Sequence, residues 1–308
     1  MPVDAARLNF QGNGLWILNT VIALVMFGVA LDLHMKDFKR VAATPKPVIV
    51  GLVAQYIVLP ALTFVLILIL RPAPSIALGM LLVAACPGGN LSNFLTFLAK
   101  GNCALSITIT AVSTLASIVM TPIIVTLWAG LHPGTAAIMR EIHMDPVQMV
   151  LTVLTILGLP LAAGMLFNHF FPNAARKLQA PFKYFSVVFF VAFVLYLFAA
   201  NFRVFLDYIA DVAFVVVVHN ALGLATGYSV ARLMRLPSRD VRALTIEVGI
   251  RNSALALVLI FAFFDGLGGM ALVAAAWGIW HIVAGMIMAS IWARHDPGVP
   301  AEAEVEPA

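Results

Sequence analysis

A carboxylate and a guanidinium stand four residues apart in Glu247-Val-Gly-Ile-Arg-Asn-Ser253, with long apolar runs on both sides. Charges are costly in such surroundings, so an ionisable residue there is a functional-site candidate by default. Glu247 has the chemistry of a ligand for a hard cation such as Na⁺, or of a proton carrier. It could also serve only as a structural partner of Arg251, since an unbroken helix puts i and i+4 on one face. A second unusual stretch, Cys86-Pro-Gly-Gly-Asn-Leu-Ser-Asn93, tips the balance toward a ligand, because it interrupts another apolar run. The two stretches are expected to meet and form an ion and substrate site.

Neutral oxygens are available nearby. Ser106 and Thr110 share one face of their segment at i,i+4, and Ser92 and Asn93 open the segment after the Pro-Gly-Gly break. One carboxylate with neutral oxygens suits a monovalent hard cation. Any one of these hydroxyls alone would be read as bonding back to its own helix. Asn90 and Asn252 sit at the two breaks and are the better substrate candidates. Gln55, His219, Asn220 and His281 are the other polar groups at depth, and His219 and Asn220 are read as helix bridges.

The elements that must position these groups follow from composition. The chain has 308 residues, is 62% hydrophobic and only 10% charged. Soluble domains carry about 25% charged residues, so this is an all-α polytopic membrane protein. A span needs about 20 apolar residues. The sequence supplies nine such segments, at 14–33, 46–70, 75–99, 103–129, 147–169, 183–201, 211–233, 240–264 and 268–292.

Thirteen Lys and Arg residues fall in the loops and segment ends on one side of this arrangement, four on the other, and Arg251 alone lies well inside a segment. The positive-inside rule then puts the N-terminus outside and the C-terminus in the cytoplasm. The first apolar run is long enough to span and lacks a basic preceding region, so it reads as a retained helix. A bacterial inner membrane is the expected location. No basic cluster suggests nucleic acid, and Cys86 and Cys103 do not form a disulfide framework.

Pro60, Pro122 and Pro160 are expected to kink their helices. Pro87 differs, because Gly88, Gly89 and Asn90 follow at once and no regular helix passes comfortably through them. The third and eighth segments are thus interrupted, and one further span follows each. That is the pattern of inverted repeats with broken helices at the midplane. The expected organisation is 1–13 outside, a first repeat of four helices over 14–129 broken at Pro87–Asn90, and a second of five helices over 147–292 broken near Glu247–Asn252. The segment 293–308 would be a disordered cytoplasmic tail, rich in Pro, Ala and Glu. Half-helix N-termini at the breaks attract anions, and unwound carbonyls attract cations. No phosphate-binding loop and no H-E-x-x-H zinc motif is present, and one carboxylate at depth is too few for an aspartyl-protease pair. An enzyme is not expected.

The chain resembles the bile acid:sodium symporter family. The resemblance rests on Ala85-Cys-Pro-Gly-Gly-Asn-Leu-Ser-Asn-Phe-Leu-Thr-Phe-Leu-Ala-Lys-Gly-Asn102, on Ala104 to Leu115, on Thr245-Ile-Glu-Val-Gly-Ile-Arg-Asn-Ser-Ala-Leu-Ala256, and on Val218-His-Asn220 and Trp280-His281. It runs from about Met26 to Trp292. It implies two inverted repeats forming a core and a panel domain, with the broken helices crossing in the core. It implies a first Na⁺ site at Ser92, Asn93, Ser106, Thr110 and Glu247. It implies a second at Glu247, Gln55 and the carbonyls of Val248 and Ile250, whose last ligand in the family is a glutamine where this chain has Arg251.

A guanidinium cannot ligate a cation. The expectation is therefore that Arg251 fills the second site as a tethered cation and pairs with Glu247, leaving one Na⁺, or that it faces the substrate anion. The function expected is sodium-coupled symport of an organic anion, either bile-acid-like or a small carboxylate, by alternating access. The cofactor is Na⁺, one ion or two. Asn90, Asn252, His281 and Arg251 are the substrate candidates. The alternative is a proton-coupled or uncoupled anion carrier in which Arg251 replaces sodium.

Overall fold

The computed structural model describes residues 3–5, 14–32, 45–89, 91–142, 146–200, 202–295 and 297. Asn90, most of the polar N-terminus and nearly all of the tail fall outside these residues. The described chain is helical throughout its regular parts: α1 (Gly14–Ala30), α2 (Pro45–Leu70), α3 (Pro74–Ala85), α4 (Leu91–Leu98), α5 (Cys103–Leu131), α6 (Pro133–Glu141), α7 (146–170), α8 (Pro172–Ala200), α9 (Phe202–Leu233), α10 (Ser238–Gly249), α11 (Ser253–Phe263) and α12 (Gly268–Ala293). By length and composition, Pro45–Leu70, Cys103–Leu131, Leu206–Leu233 and Gly268–Ala293 are each long and apolar enough to cross a membrane. The apolar helices α3 and α11 are shorter.

Local chemistry explains the ends. Pro74 starts α3 without wasting a helical N–H, and Asp4 accepts a 2.7 Å hydrogen bond from the Ser75 N–H. Asn102 and Asn252 cap α5 and α11, their Oδ1 atoms accepting from the N–H groups of Leu105 and Leu255 at 3.1 and 3.0 Å. Cys86, placed before Pro87, is extended (φ −68°, ψ 153°), and this ends α3.

Pro60 and Pro160 do not simply kink their helices. Each follows a single π-turn, over Ala54–Val58 and Leu154–Gly158. The π register hands the N–H of Leu59 back to Ala54, and the next nitrogen belongs to a proline with no hydrogen to give. Pro122 lies within the continuous helix α5. Helix α8 begins at Pro172, well before the apolar run expected from 183. Helix α6 is an addition: the stretch reads as a loop because it is short and polar, yet His132 and Pro133 start it as a helix.

Burial sorts the helices. Every residue of α3 from Ser75 to Ala85 is buried, and so is most of α11, because these half-helices are apolar all round. They sit inside a group made of α2, α4, α5, α9, α10 and α12, while α1 packs with α7 and α8. Backbones in the larger group come very close. A Cβ on Gly227 of α9 would lie 2.6 Å from the Leu244 carbonyl oxygen of α10, so only glycine fits. On the outside, Ile57, Ile69, Leu159, Val188 and Leu206 are exposed, which suits lipid rather than water.

Candidate ion and substrate site

The two interrupted stretches meet as expected. The Gly89 N–H donates to the Ile250 carbonyl at 3.2 Å, and the Asn252 N–H donates to the Pro87 carbonyl at 3.0 Å. Gly88 and Arg251 thereby face each other in a short antiparallel bridge. The bridge satisfies backbone groups that a broken helix would otherwise leave unpaired in an apolar interior. The helical part of the second stretch runs further than anticipated. Glu247, Val248 and Gly249 all belong to α10, and the break is confined to 250–252.

Glu247 is fully buried, and three hydroxyls surround its carboxylate. Ser92 donates to Oε2 at 2.5 Å, Ser106 Oγ stands 3.0 Å from the same oxygen, and Thr110 Oγ1 stands 2.8 Å from Oε1. Asn93 Oδ1 closes the group, 2.8 Å from Ser106 Oγ and 3.3 Å from Thr110 Oγ1. A hydroxyl has one proton. Ser106 therefore cannot serve Asn93 and Glu247 at once, and Thr110, which also reaches the Ser106 carbonyl at 2.9 Å, is similarly overdrawn. The cluster has more acceptor oxygens than protons, and it carries one formal negative charge. Oxygens in this arrangement could hold a hard monovalent cation. Among the described residues no group of three or more His, Cys, Asp or Glu could hold a metal ion.

The positions of these groups depend on the crossing. Ser92 and Asn93 lie at the start of α4, Ser106 and Thr110 on one face of α5, and Glu247 in the last turn of α10. Gly88 sits directly over the carboxylate, where a Cβ would lie 2.1 Å from Oε1. Thr96 adds a 3.4 Å hydrogen bond to Ser106 Oγ. Sequence reasoning missed Thr96, and it noticed Gly88 only as part of a helix-breaking run. The spacing Ser92 to Thr96 at i,i+4 was the available signal.

Arg251 does not pair with Glu247. The helix ends at Gly249, so the i,i+4 relation is lost and the side chain turns elsewhere. Nη1 donates to Gln55 Oε1 at 3.3 Å and to the Cys86 carbonyl at 3.1 Å, while Nη2 donates to the Gln55 carbonyl at 3.1 Å. Gln55 therefore lies beside the crossing. The Ile250 carbonyl is occupied by Gly89, whereas the N–H that would return to the Val248 carbonyl in an unbroken helix, that of Asn252, goes to Pro87.

Of the substrate candidates, Asn252 is partly exposed at the crossing, its Oδ1 engaged as a cap. His281 is buried on α12, with no hydrogen bond joining it to the cluster among the described residues. His219 and Asn220 bridge helices: His219 Nε2 lies 2.8 Å from Thr63 Oγ1, and Asn220 donates to the Gly249 carbonyl at 2.7 Å.

Comparison with known proteins identifies relatives of the chain. Residues 19–208 match the Sodium Bile acid symporter family. An uncharacterized sodium-dependent transporter of Bacillus subtilis (strain 168) is 33% identical over 282 residues, covering 91% of this chain and 84% of that protein. A probable sodium/metabolite cotransporter of Arabidopsis thaliana chloroplasts is 28% identical over 277 residues, covering 90% and 66% respectively. The P3 protein of Mus musculus is 26% identical over 234 residues, covering 76% and 48%.

Proposed function

Because the chain belongs to the Sodium Bile acid symporter family, a family of membrane transporters and not of enzymes, we propose that it is a sodium-coupled symporter of an organic anion. The observation that carries this reading is the proton-poor oxygen cluster of Ser92, Asn93, Ser106, Thr110 and Glu247 around one buried carboxylate. Na⁺ sits there and neutralises Glu247. The anion, bile-acid-like or a small carboxylate, binds against the crossing, where Gly89, Asn93 and Asn252 keep partial exposure. The N-termini of α4 and α11 point their dipoles at it.

The larger helix group acts as the core and the α1, α7 and α8 group as the panel. Their relative movement alternates access, with the two repeats inverted in the membrane. The N-terminus is outside and the C-terminus cytoplasmic, in a bacterial inner membrane. A second reading, a proton-coupled or uncoupled carrier, draws on the hold of Arg251 on Gln55, expected to serve a second Na⁺ with Val248 and Ile250.

The two readings separate in a thermal-stability titration of purified protein, because a ligand that binds only the folded state must raise its stability. Stabilisation by Na⁺ over K⁺, lost in Glu247→Ala and Ser106→Ala, is expected. No ion-specific effect in the wild type would discard the sodium reading.

A further inference from the structure

Arg251 is 1% exposed, and every acceptor of its guanidinium among the described residues is an uncharged carbonyl-type oxygen. A buried cation without a carboxylate against it needs an explanation, because its desolvation is costly. The oxygens supply part of it. The Gln55 carbonyl has lost its helical partners: the π-turn sends the Leu59 N–H to Ala54, and Pro60 has none to offer. The Cys86 carbonyl lies just past the C-terminus of α3, where helix dipoles leave negative potential. With Gln55 Oε1 these carbonyls form an oxygen-lined seat for a cation, and the cation in it is covalently attached to the chain.

We infer that Arg251 permanently fills a cation seat beside the sodium seat, so that this transporter carries one Na⁺ per cycle and exchanges no net charge when its substrate is a monovalent anion. This rests on the sodium-symport reading above. With Glu247 ionised, the empty site is balanced by Arg251. Na⁺ alone leaves one uncompensated positive charge, and the anion alone leaves one negative charge. Na⁺ together with a monovalent anion restores balance. An uncompensated charge is expensive at membrane depth, so the empty and the doubly loaded forms are the ones that cross. The tethered guanidinium thus enforces strict coupling, at the cost of half the sodium driving force available to a two-ion carrier.

Equilibrium binding of radioactive Na⁺ to the purified full-length protein tests this directly. The wild type is expected to saturate at one Na⁺ per chain with a hyperbolic curve, and Arg251→Lys, which keeps the charge, to do the same. Arg251→Gln is expected to saturate at two. Two Na⁺ on the wild type would overturn the inference while leaving sodium symport standing. One Na⁺ on a folded Arg251→Gln protein would overturn it as well, since the vacated seat should accept an ion. No Na⁺ on the wild type would remove the sodium reading itself, and this inference with it. The wild-type count decides the matter even if Arg251→Gln does not fold.

Discussion

Gly88→Ala should leave a folded protein that has lost most of its response to sodium. The added methyl would stand 2.1 Å from Glu247 Oε1, while the nearest backbone atom, the Glu247 carbonyl oxygen, is 3.4 Å away. The obstacle is thus the free end of a side chain, and the helices themselves need not part. The carboxylate must retreat by roughly 1 Å, a displacement large enough to cost orders of magnitude where geometry is critical. Any such shift disturbs its hydrogen bonds with Ser92, Ser106 and Thr110, the hydroxyls that hold it. Overpacking of this kind costs about 1–3 kcal/mol of stability. Disturbing the orientation of a metal ligand costs about 10–100-fold in affinity. At a Na⁺ concentration 100 times the wild-type dissociation constant, bound Na⁺ contributes about 2.7 kcal/mol, and a 100-fold weaker site would leave about 0.4 kcal/mol. In a thermal melt, a sodium-induced rise of about 5 °C would shrink to about 1 °C. The assay is the difference between melts in Na⁺ and K⁺, compared between Gly88→Ala and the wild type. An unchanged difference in a folded variant would show that Gly88 does not set the carboxylate, and would refute the reasoning.

Two further outcomes are expected. Asn102→Ala removes both the cap on α5 and a 2.8 Å hydrogen bond to Asp240 Oδ1, so the melting temperature should fall by an amount corresponding to about 1–2 kcal/mol. The preference for Na⁺ over K⁺ should survive, which the same titration reads. Gly227→Val should fail to give a monodisperse protein by size-exclusion chromatography, because its Cβ meets the Leu244 carbonyl oxygen at 2.6 Å and the Thr245 Cα at 2.8 Å; that obstacle is backbone and cannot swing aside. A well-behaved Gly227→Val protein would mean that α9 and α10 can separate more easily than their packing implies.

Much of the site was legible in the sequence because its determinants are local. Pro87 with Gly88 and Gly89 cannot continue a helix, and the structure breaks there. Ser106 and Thr110 share a face by helical spacing alone. Apolar length placed the helices to within a few residues in most cases, although α8 starts at Pro172 because a polar, amphipathic beginning is invisible to a hydropathy count. The meeting of the two interrupted stretches could be anticipated only as a pattern. The antiparallel bridge that joins Pro87–Gly89 to Ile250–Asn252 is a contact between residues far apart in the chain.

What the sequence by itself determined was an all-helical membrane protein, two interruptions, and the stock of oxygens from which a sodium seat could be built. Only the tertiary structure decided which oxygens share a carboxylate and where the guanidinium goes. On spacing alone, Glu247 and Arg251 would be partners. Ending α10 at Gly249 removes the helical phase between them, and a π-turn with Pro60, on a different helix, leaves the Gln55 carbonyl without a helical partner for Arg251 to reach. The fate of one charge was thus fixed by a missing N–H nearly two hundred residues away, and no local pattern around Arg251 could report that.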